Sequence, residues 1–517
     1  MKTNRTAIFA AGLALVVVAA TLGAQATGSA PKAPVVVPAA IAAIKEADLR
    51  RDLYTMAGET MRGREAGTLD ELRASAWLAD QFRTIGVAPK GDDGTYFQWW
   101  NMHRTRLSTV SSSVALDGRA LALWTEITPT SNSGGDVSGP TVFVGDGRDT
   151  TIDVRGRIAV VMLQPPTAAL RTTTNTYEYR YARAAITATA NPLARRGAAA
   201  VIIVADSIAD IAYDGVWKIQ ERGAYDVVGG VPRNAPQSPA TAPPLAPRPA
   251  GPPVLLVRRS SLAAFRESGH SVEIHLRTES FDAPSVNVIG VVRGTDPKLR
   301  DEYVLFSSHQ DHDGVRFAIN GDSIWSGADD NASTSVALLA IARAFVKQPG
   351  KRSALFVFHG AEERGLLGSR YHAAHPVVPL ASIVAVLNGD MIGRNNPDSA
   401  ALLGSQPPHR NSSELVQMAL DANAATGKFI IDSLWDRPTH PEGWYFRSDH
   451  VPYARLGVPA IFFSTNLHPD YHTPRDKPQA IDYPKLTRMT RWMYVTGWMA
   501  ANAAKRPAID AGFKLER

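Results

Sequence analysis

From residue 285 onward, short apolar runs alternate with longer stretches whose apolar positions recur every three or four residues. The runs at 286–292, 303–306, 354–358, 383–387 and 460–463 read as strands, and 332–345, 415–425 and 484–501 as helices. Strands apolar throughout, alternating with amphipathic helices, predict an α/β fold: a mostly parallel central sheet flanked by helices on both faces. Further upstream, helical spacing begins near residue 41. Thr68 is placed to cap a helix carrying Leu72, Ala76, Leu78 and Phe82, and Gly86 to end it. Residues 111–275 have a different texture, with β-rich runs at 141–144, 158–162, 201–204 and 254–257 bounded by Gly and Asp. Within them, 231–253 is dominated by Pro and Ala and predicts an irregular loop.

The chain of 517 residues is 44% hydrophobic and 20% charged, an ordinary globular composition with room for more than one domain. Its net charge of +6 is small for this length, and no long basic run accompanies it, which argues against nucleic acid as a partner. The first residues change the picture more. Lys2 and Arg5 precede an apolar, Ala-rich stretch from Ala7 to Leu22, and Ala24-Gln25-Ala26 offers a small-x-small cleavage site. Residues 1–26 therefore read as a signal peptide, and the protein as exported, periplasmic or secreted, with no stable membrane anchor after cleavage. The chain has no cysteine. That removes disulfides, a thiol nucleophile and a lipid-accepting Cys, and leaves any metal to His and carboxylates.

Candidate chemistry gathers just beyond the predicted strands, where open α/β sheets bind ligands. His309 follows the run 303–306, and Asp311 is placed to fix its tautomer. Asp329-Asp330 precedes the helix 332–345, where a carboxylate either caps the helix or binds an ion. Glu362-Glu363 follows 354–358 in a Gly-flanked turn. Two adjacent glutamates repel each other unless a metal lies near, in which case one can ligate while the other serves as a base. Asp390 follows 383–387, and His468-Pro469-Asp470-Tyr471-His472 follows 460–463. Oxygen and imidazole donors without Cys suit zinc, or else cobalt or manganese. Two imidazoles with several carboxylates suit two ions bridged by one carboxylate.

In these motifs the chain resembles the secreted two-zinc aminopeptidases, the family that also holds glutamate carboxypeptidase and the glutaminyl cyclases. The resemblance rests on Gly63-Arg64-Glu65-Ala66-Gly67-Thr68, Gly327-Ala328-Asp329-Asp330-Asn331 and Glu362-Glu363 with Gly365-Leu366-Leu367-Gly368-Ser369. It also includes Asp390-Met391-Ile392-Gly393, Ser448-Asp449-His450 and Tyr471-His472-Thr473. It implies a zinc-exopeptidase catalytic domain, phosphorylase/hydrolase-like in fold, over 40–110 and 280–505. The interposed 111–275 is similar to a protease-associated domain. It further implies two zinc ions per chain on His309, Asp330, Glu363, Asp390 and His472, with Asp330 bridging. Glu362 matches the general base, Tyr471 the donor to the oxyanion, and Asp311 the residue behind His309. Asp449 is expected behind the ligands or against substrate. His312, His359, His450 and His468 are expected to shape the pocket rather than touch metal.

The reaction so implied is removal of N-terminal residues from peptide substrates by a metal-activated water. Carboxypeptidase or dipeptidase chemistry on the same dizinc site stays open, and behind it glutaminyl cyclase chemistry or a binding protein without catalysis. The complete ligand set and Glu362 argue against the last. No Gly-x-Ser-x-Gly elbow and no His-Glu-x-x-His helix occurs, so a serine hydrolase and a single-helix zinc protease are disfavoured.

Overall fold

The structure, a computed structural model, describes residues 35–166, 177–232 and 251–515. The expected signal peptide at 1–26 and all but the ends of the Pro-rich loop 231–253 lie outside the described residues. The main sheet has ten strands: β1 Ala88–Pro89, β2 Phe97–Leu107, β3 Ala224–Val227, β4 Thr278–Val292, β5 Tyr303–His309, β6 Ser353–His359, β7 Ile383–Gly389, β8 Ser399–Leu403, β9 Ile430–Ile431 and β10 Ala460–Ser464. Their order is β9-β8-β10-β7-β5-β6-β4-β2-β3, with β1 beside β4. The parallel core occupies the four central strands, β10, β7, β5 and β6. Antiparallel pairs border it on both sides: β4 runs against β6 and β2, and β8 against β10, with β9 parallel to β8 at the edge. The sheet is thus mixed around a parallel centre. The run at 286–292 is the last part of a 15-residue strand whose register with β2 is continuous from Thr278↔Leu107 to Val288↔Phe97.

Helices α1 Leu69–Ile85, α2 Tyr177–Arg195, α3 Tyr213–Arg222, α4 Thr334–Lys347, α5 Leu367–Ala374 and α6 Tyr483–Asn502 pack on the sheets. Thr68 caps α1 as expected, its hydroxyl accepting from the Asp70 N–H at 3.2 Å, and Gly86 ends it at φ +90°. Neighbouring residues of a strand face opposite ways, so each central strand feeds two cores. On one face Phe306 and Phe356 stack at 5.3 Å beneath Phe345 of α4 and Phe82 of α1. On the other, Leu305, Leu355, Val357 and Val386 meet Ala373 of α5 and Tyr453. Burial of both faces explains why these strands carry no polar alternation.

Residues 113–276 build a second sheet of eight strands. Its centre, Gly135–Phe143, Ile158–Met162, Ala200–Val204 and Val254–Val257, is parallel. α2 and α3 cover one face through Tyr181, Ala185, Tyr213 and Val216. The same segment also supplies β3, which pairs with β2 at Met102↔Val227 and extends the main sheet. Among the described residues, no helix is long and apolar enough to cross a membrane.

Candidate metal centre

Because β5, β6, β7 and β10 are parallel and in near register, their carboxyl ends finish together. The chain leaves the apolar layer there: His309 is the last residue of β5, and the other four expected residues lie in turns. Asp330 comes from the turn ahead of α4. That turn requires glycine at 327: φ is +57°, and a Cβ would meet the Asp330 carbonyl oxygen at 2.1 Å and the His312 ring at 2.4 Å.

The side chains converge in two groups that share Asp330. In the first, His309 Nε2 lies 3.2 Å from Asp330 Oδ1 and 3.5 Å from Asp390 Oδ1. In the second, His472 Nε2 lies 3.1 Å from Asp330 Oδ2 and 3.2 Å from Glu363 Oε2. His312 joins this second group, its Nδ1 2.7 Å from Glu363 Oε1 and 3.9 Å from Asp330 Oδ2. Within each group one donor atom per residue falls inside 4.8 Å of the others. His309 Nε2, Asp390 Oδ1, Glu363 Oε1 and His472 Nε2 are buried without a hydrogen bond of normal geometry. Buried donors of this kind are costly unless satisfied, and oxygen and imidazole donors so placed fit a borderline divalent ion such as zinc. Glu362 belongs to neither group, and its Oε2 is 3.9 Å from His309 Nε2.

The residues behind these donors explain their placement. Asp311 reaches His309 through its backbone: His309 Nδ1 is 3.1 Å from the Asp311 carbonyl oxygen, while the carboxylate is 3.8 Å away. The carboxylate instead accepts from the Glu362 and Glu363 N–H groups at 2.9 and 3.3 Å, so it fixes the glutamate turn. Asp390 is oriented by a chain of side chains. Ser307 donates to Asn388 at 2.8 Å, Asn388 to Ser448 at 2.7 Å, and Ser448 to Asp390 Oδ2 at 2.8 Å. Asp476 accepts from the Asp329 and Asp330 N–H groups at 3.0 and 3.1 Å. Asp313 Oδ2 sits 3.2 Å from His472 Nδ1. Arg64, fully buried, donates to the carbonyls of Met56, Gln310, Ser326 and Gly327 at 2.7–2.9 Å and ties the 310 and 326 turns together. The Tyr471 ring lies 3.9 Å from that of His472, tilted by 37°, and its hydroxyl accepts from Arg447 Nη2 at 2.8 Å.

The two adjacent glutamates are driven apart electrostatically. Burial, reinforced by Glu363 and Asp390 and opposed by His309, pushes Glu362 well above the usual carboxylate range. Burial acts the same way on Glu363, but the imidazoles of His472 and His312 outweigh it and hold that carboxyl at about 2. Neighbouring carboxyls with diverging proton affinities are suited to different roles. Asp449 is buried as well, and burial with nearby Asp390 raises it to about 7. His359 lies away from both groups, 3.3 Å from the Tyr453 hydroxyl, and burial lowers it well below an ordinary histidine. His450 packs on Tyr445 and Phe462, and His468 lies 3.5 Å from Asp329. Of the four histidines expected only to shape the pocket, His312 alone stands among the donors.

Glu362, Glu363, Asp330, Asp390, Tyr471 and His472 line a cavity of about 660 Å³. Residues 287–496 match the model of Peptidase family M28. The chain is 27% identical over 252 residues to Aminopeptidase YwaD of Bacillus subtilis, covering 46% of this chain and 49% of that one. It is 34% identical over 144 residues to Leupeptin-inactivating enzyme 1 of Streptomyces exfoliatus, covering 27% and 29%. The chain thus spans about half the length, or less, of these curated relatives. In fold it is similar to BSAP, a zinc aminopeptidase from Bacillus subtilis, with TM-score 0.55, 19% identity and coverage of 93% and 100%. It is similar also to an aminopeptidase from Aneurinibacillus, with TM-score 0.53, 17% identity and coverage of 90% and 96%. The stretch that matches Peptidase family M28, residues 287–496, is the one that carries His309, Asp330, Glu363, Asp390 and His472.

Proposed function

We propose that this protein is a zinc-dependent aminopeptidase that removes N-terminal residues from peptides with two zinc ions per chain. The observation that carries the reading is the sharing of Asp330: one carboxylate offers an oxygen to each of two donor groups, with Glu362 unassigned beside them. The first ion falls to His309, Asp330 and Asp390, the second to Asp330, Glu363 and His472 with His312 alongside. Zinc held there supplies Lewis acidity and lowers the pKa of a water to about 7.

The protein's own groups do the rest. Glu362 accepts the proton of the attacking water and returns it to the leaving amine. Tyr471, positioned by Arg447, donates to the oxygen on which negative charge develops. The acidic side chains lining the cavity favour the substrate's free α-amine over a buried peptide N–H, which selects the N-terminus. The segment around 111–275 serves as a protease-associated-like insertion; α2 within it places Arg183 on the cavity wall. Residues 1–26 direct export, so the enzyme acts in the periplasm or outside the cell.

The test is hydrolysis of leucine-p-nitroanilide before and after chelation. Activity that is lost with chelator and restored by zinc is expected. Zinc retention without hydrolysis of any free-amine substrate would move the reading to carboxypeptidase or dipeptidase chemistry. A second expectation concerns Asp313, whose carboxylate faces the far nitrogen of His472. Carboxylates behind ligating histidines fix ring orientation and basicity, so Asp313→Asn lowers zinc affinity by about 10- to 100-fold. Competition with a chromophoric chelator reads this directly, and wild-type affinity in the variant would confine Asp313 to its ion pairs with Arg222, Arg316 and Arg364.

A further inference from the structure

A line of charged side chains runs from the segment that builds the second sheet to the catalytic cavity. Helix α2 of that segment presents Arg180, whose Nη1 donates to one oxygen of Glu442 at 3.0 Å. The other Glu442 oxygen accepts from Arg447 Nη1 at 2.8 Å. The second arm of the same guanidinium, Nη2, donates to the Tyr471 hydroxyl at 2.8 Å. Arg180 and Glu442 are 262 positions apart, so only the fold brings them together. Their side chains are 28% and 15% exposed, which leaves the pair less screened than one on the open surface. Glu442, Trp444, Arg447 and Tyr471 line the catalytic cavity, whereas Arg180 lines a second cavity that shares Glu442, Arg447 and His472 with the first.

A long arginine side chain samples many rotamers unless its fork is held. Glu442 holds one arm of Arg447, and the guanidinium lies over the Trp444 ring, 4.9 Å from its centroid. The other arm is thereby aimed at Tyr471. A cation that donates to a phenol oxygen polarises the O–H and strengthens it as a donor in its turn. We propose that Arg180 and Glu442 are positioning residues for hydrolysis: Arg180 fixes Glu442, Glu442 fixes Arg447, and Arg447 holds the Tyr471 hydroxyl toward the developing oxyanion. The segment 113–276 then takes part in catalysis through one side chain. The inference rests on the peptidase reading, in which Tyr471 is the oxyanion donor.

The test is a pair of double-mutant cycles on the zinc-loaded full chain with leucine-p-nitroanilide, reading kcat, KM and zinc content for each variant. Tyr471→Phe removes the donor and lowers kcat about 10²-fold. Glu442→Gln and Arg180→Met each lower kcat about tenfold, with KM and zinc content as in the wild type. Arg180→Lys, which keeps the charge, retains most of the wild-type kcat. In the Tyr471→Phe background neither substitution lowers kcat further, because no hydroxyl is left to position. Losses of equal size in both backgrounds would mark a merely structural role and overturn the proposal. So would wild-type kcat in Arg180→Met, or a rise in KM alone, which would make Arg180 a substrate contact. Arg180 is partly exposed, so its cycle decides the matter even if Glu442→Gln does not fold. Wild-type kcat in Tyr471→Phe sinks the role of Tyr471 and this inference but leaves the peptidase reading. Absence of chelator-sensitive hydrolysis in the wild type sinks all three.

Discussion

Replacing Glu362 with Gln leaves the zinc content unchanged and lowers kcat by about 10²- to 10⁴-fold, the usual contribution of a positioned general base. The expectation follows from where Glu362 stands. It belongs to neither donor group, yet its carboxylate comes within 3.9 Å of His309 Nε2 and lines the cavity beside Asp330 and Glu363. Its backbone N–H is held by Asp311 at 2.9 Å, so the turn survives the substitution. Gln keeps the shape and the hydrogen-bonding carbonyl but does not take up a proton. The loss therefore falls on kcat, with KM little moved, because the group acts in the transition state rather than in ground-state binding. Its neighbour supplies the contrast. Glu363→Gln removes a donor of the second group and acts through metal loss. If Glu362→Gln retained wild-type kcat, the proton would be travelling through another group.

Replacing Asp330 with Asn has a larger effect still: at least one ion is lost, and activity falls by more than about 10³-fold. Asp330 Oδ1 faces the His309 group and Oδ2 the His472 group, at 3.2 and 3.1 Å from the respective imidazole nitrogens. An amide offers one oxygen and turns an N–H₂ toward the other site, where a donor cannot ligate a cation. The backbone around it stays in place, because Asp476 holds the 329 and 330 N–H groups and Gly327 keeps its turn. The defect is thus local. Metal analysis of the purified variant checks it. Two ions per chain with full activity would mean that the two groups do not depend on a common ligand.

The sequence carried the parts of this arrangement that are written locally. Apolar runs without polar alternation marked strands covered on both faces, and the polar residues just after them marked the turns where ligands gather. The α1 cap at Thr68 and its end at Gly86 were legible because each depends on one residue's own chemistry. What was hidden depends on distant partners. In the sequence His312 reads as pocket lining, because only its closeness to His309 is visible there. It joins Glu363 because Arg64, some 250 positions earlier, clasps the carbonyls of Gln310, Ser326 and Gly327 and turns the 310–314 segment inward. The task of Asp311 was hidden for the same reason. Its carboxylate serves the glutamate turn after β6, which no spacing within its own segment announces. The partnership of Asp313 with His472 also joins separate segments. The antiparallel flank followed from β2, which pairs with β4 along its full length, and the apolar pattern of 286–292 is indifferent to strand direction.

The sharing of Asp330 by two zinc ions is tested most directly by anomalous scattering at the zinc edge from crystals of the zinc-loaded protein. The account predicts two peaks on either side of the Asp330 carboxylate, one contacting His309 and Asp390 and the other Glu363 and His472. A single peak, or two that do not share Asp330, would contradict it.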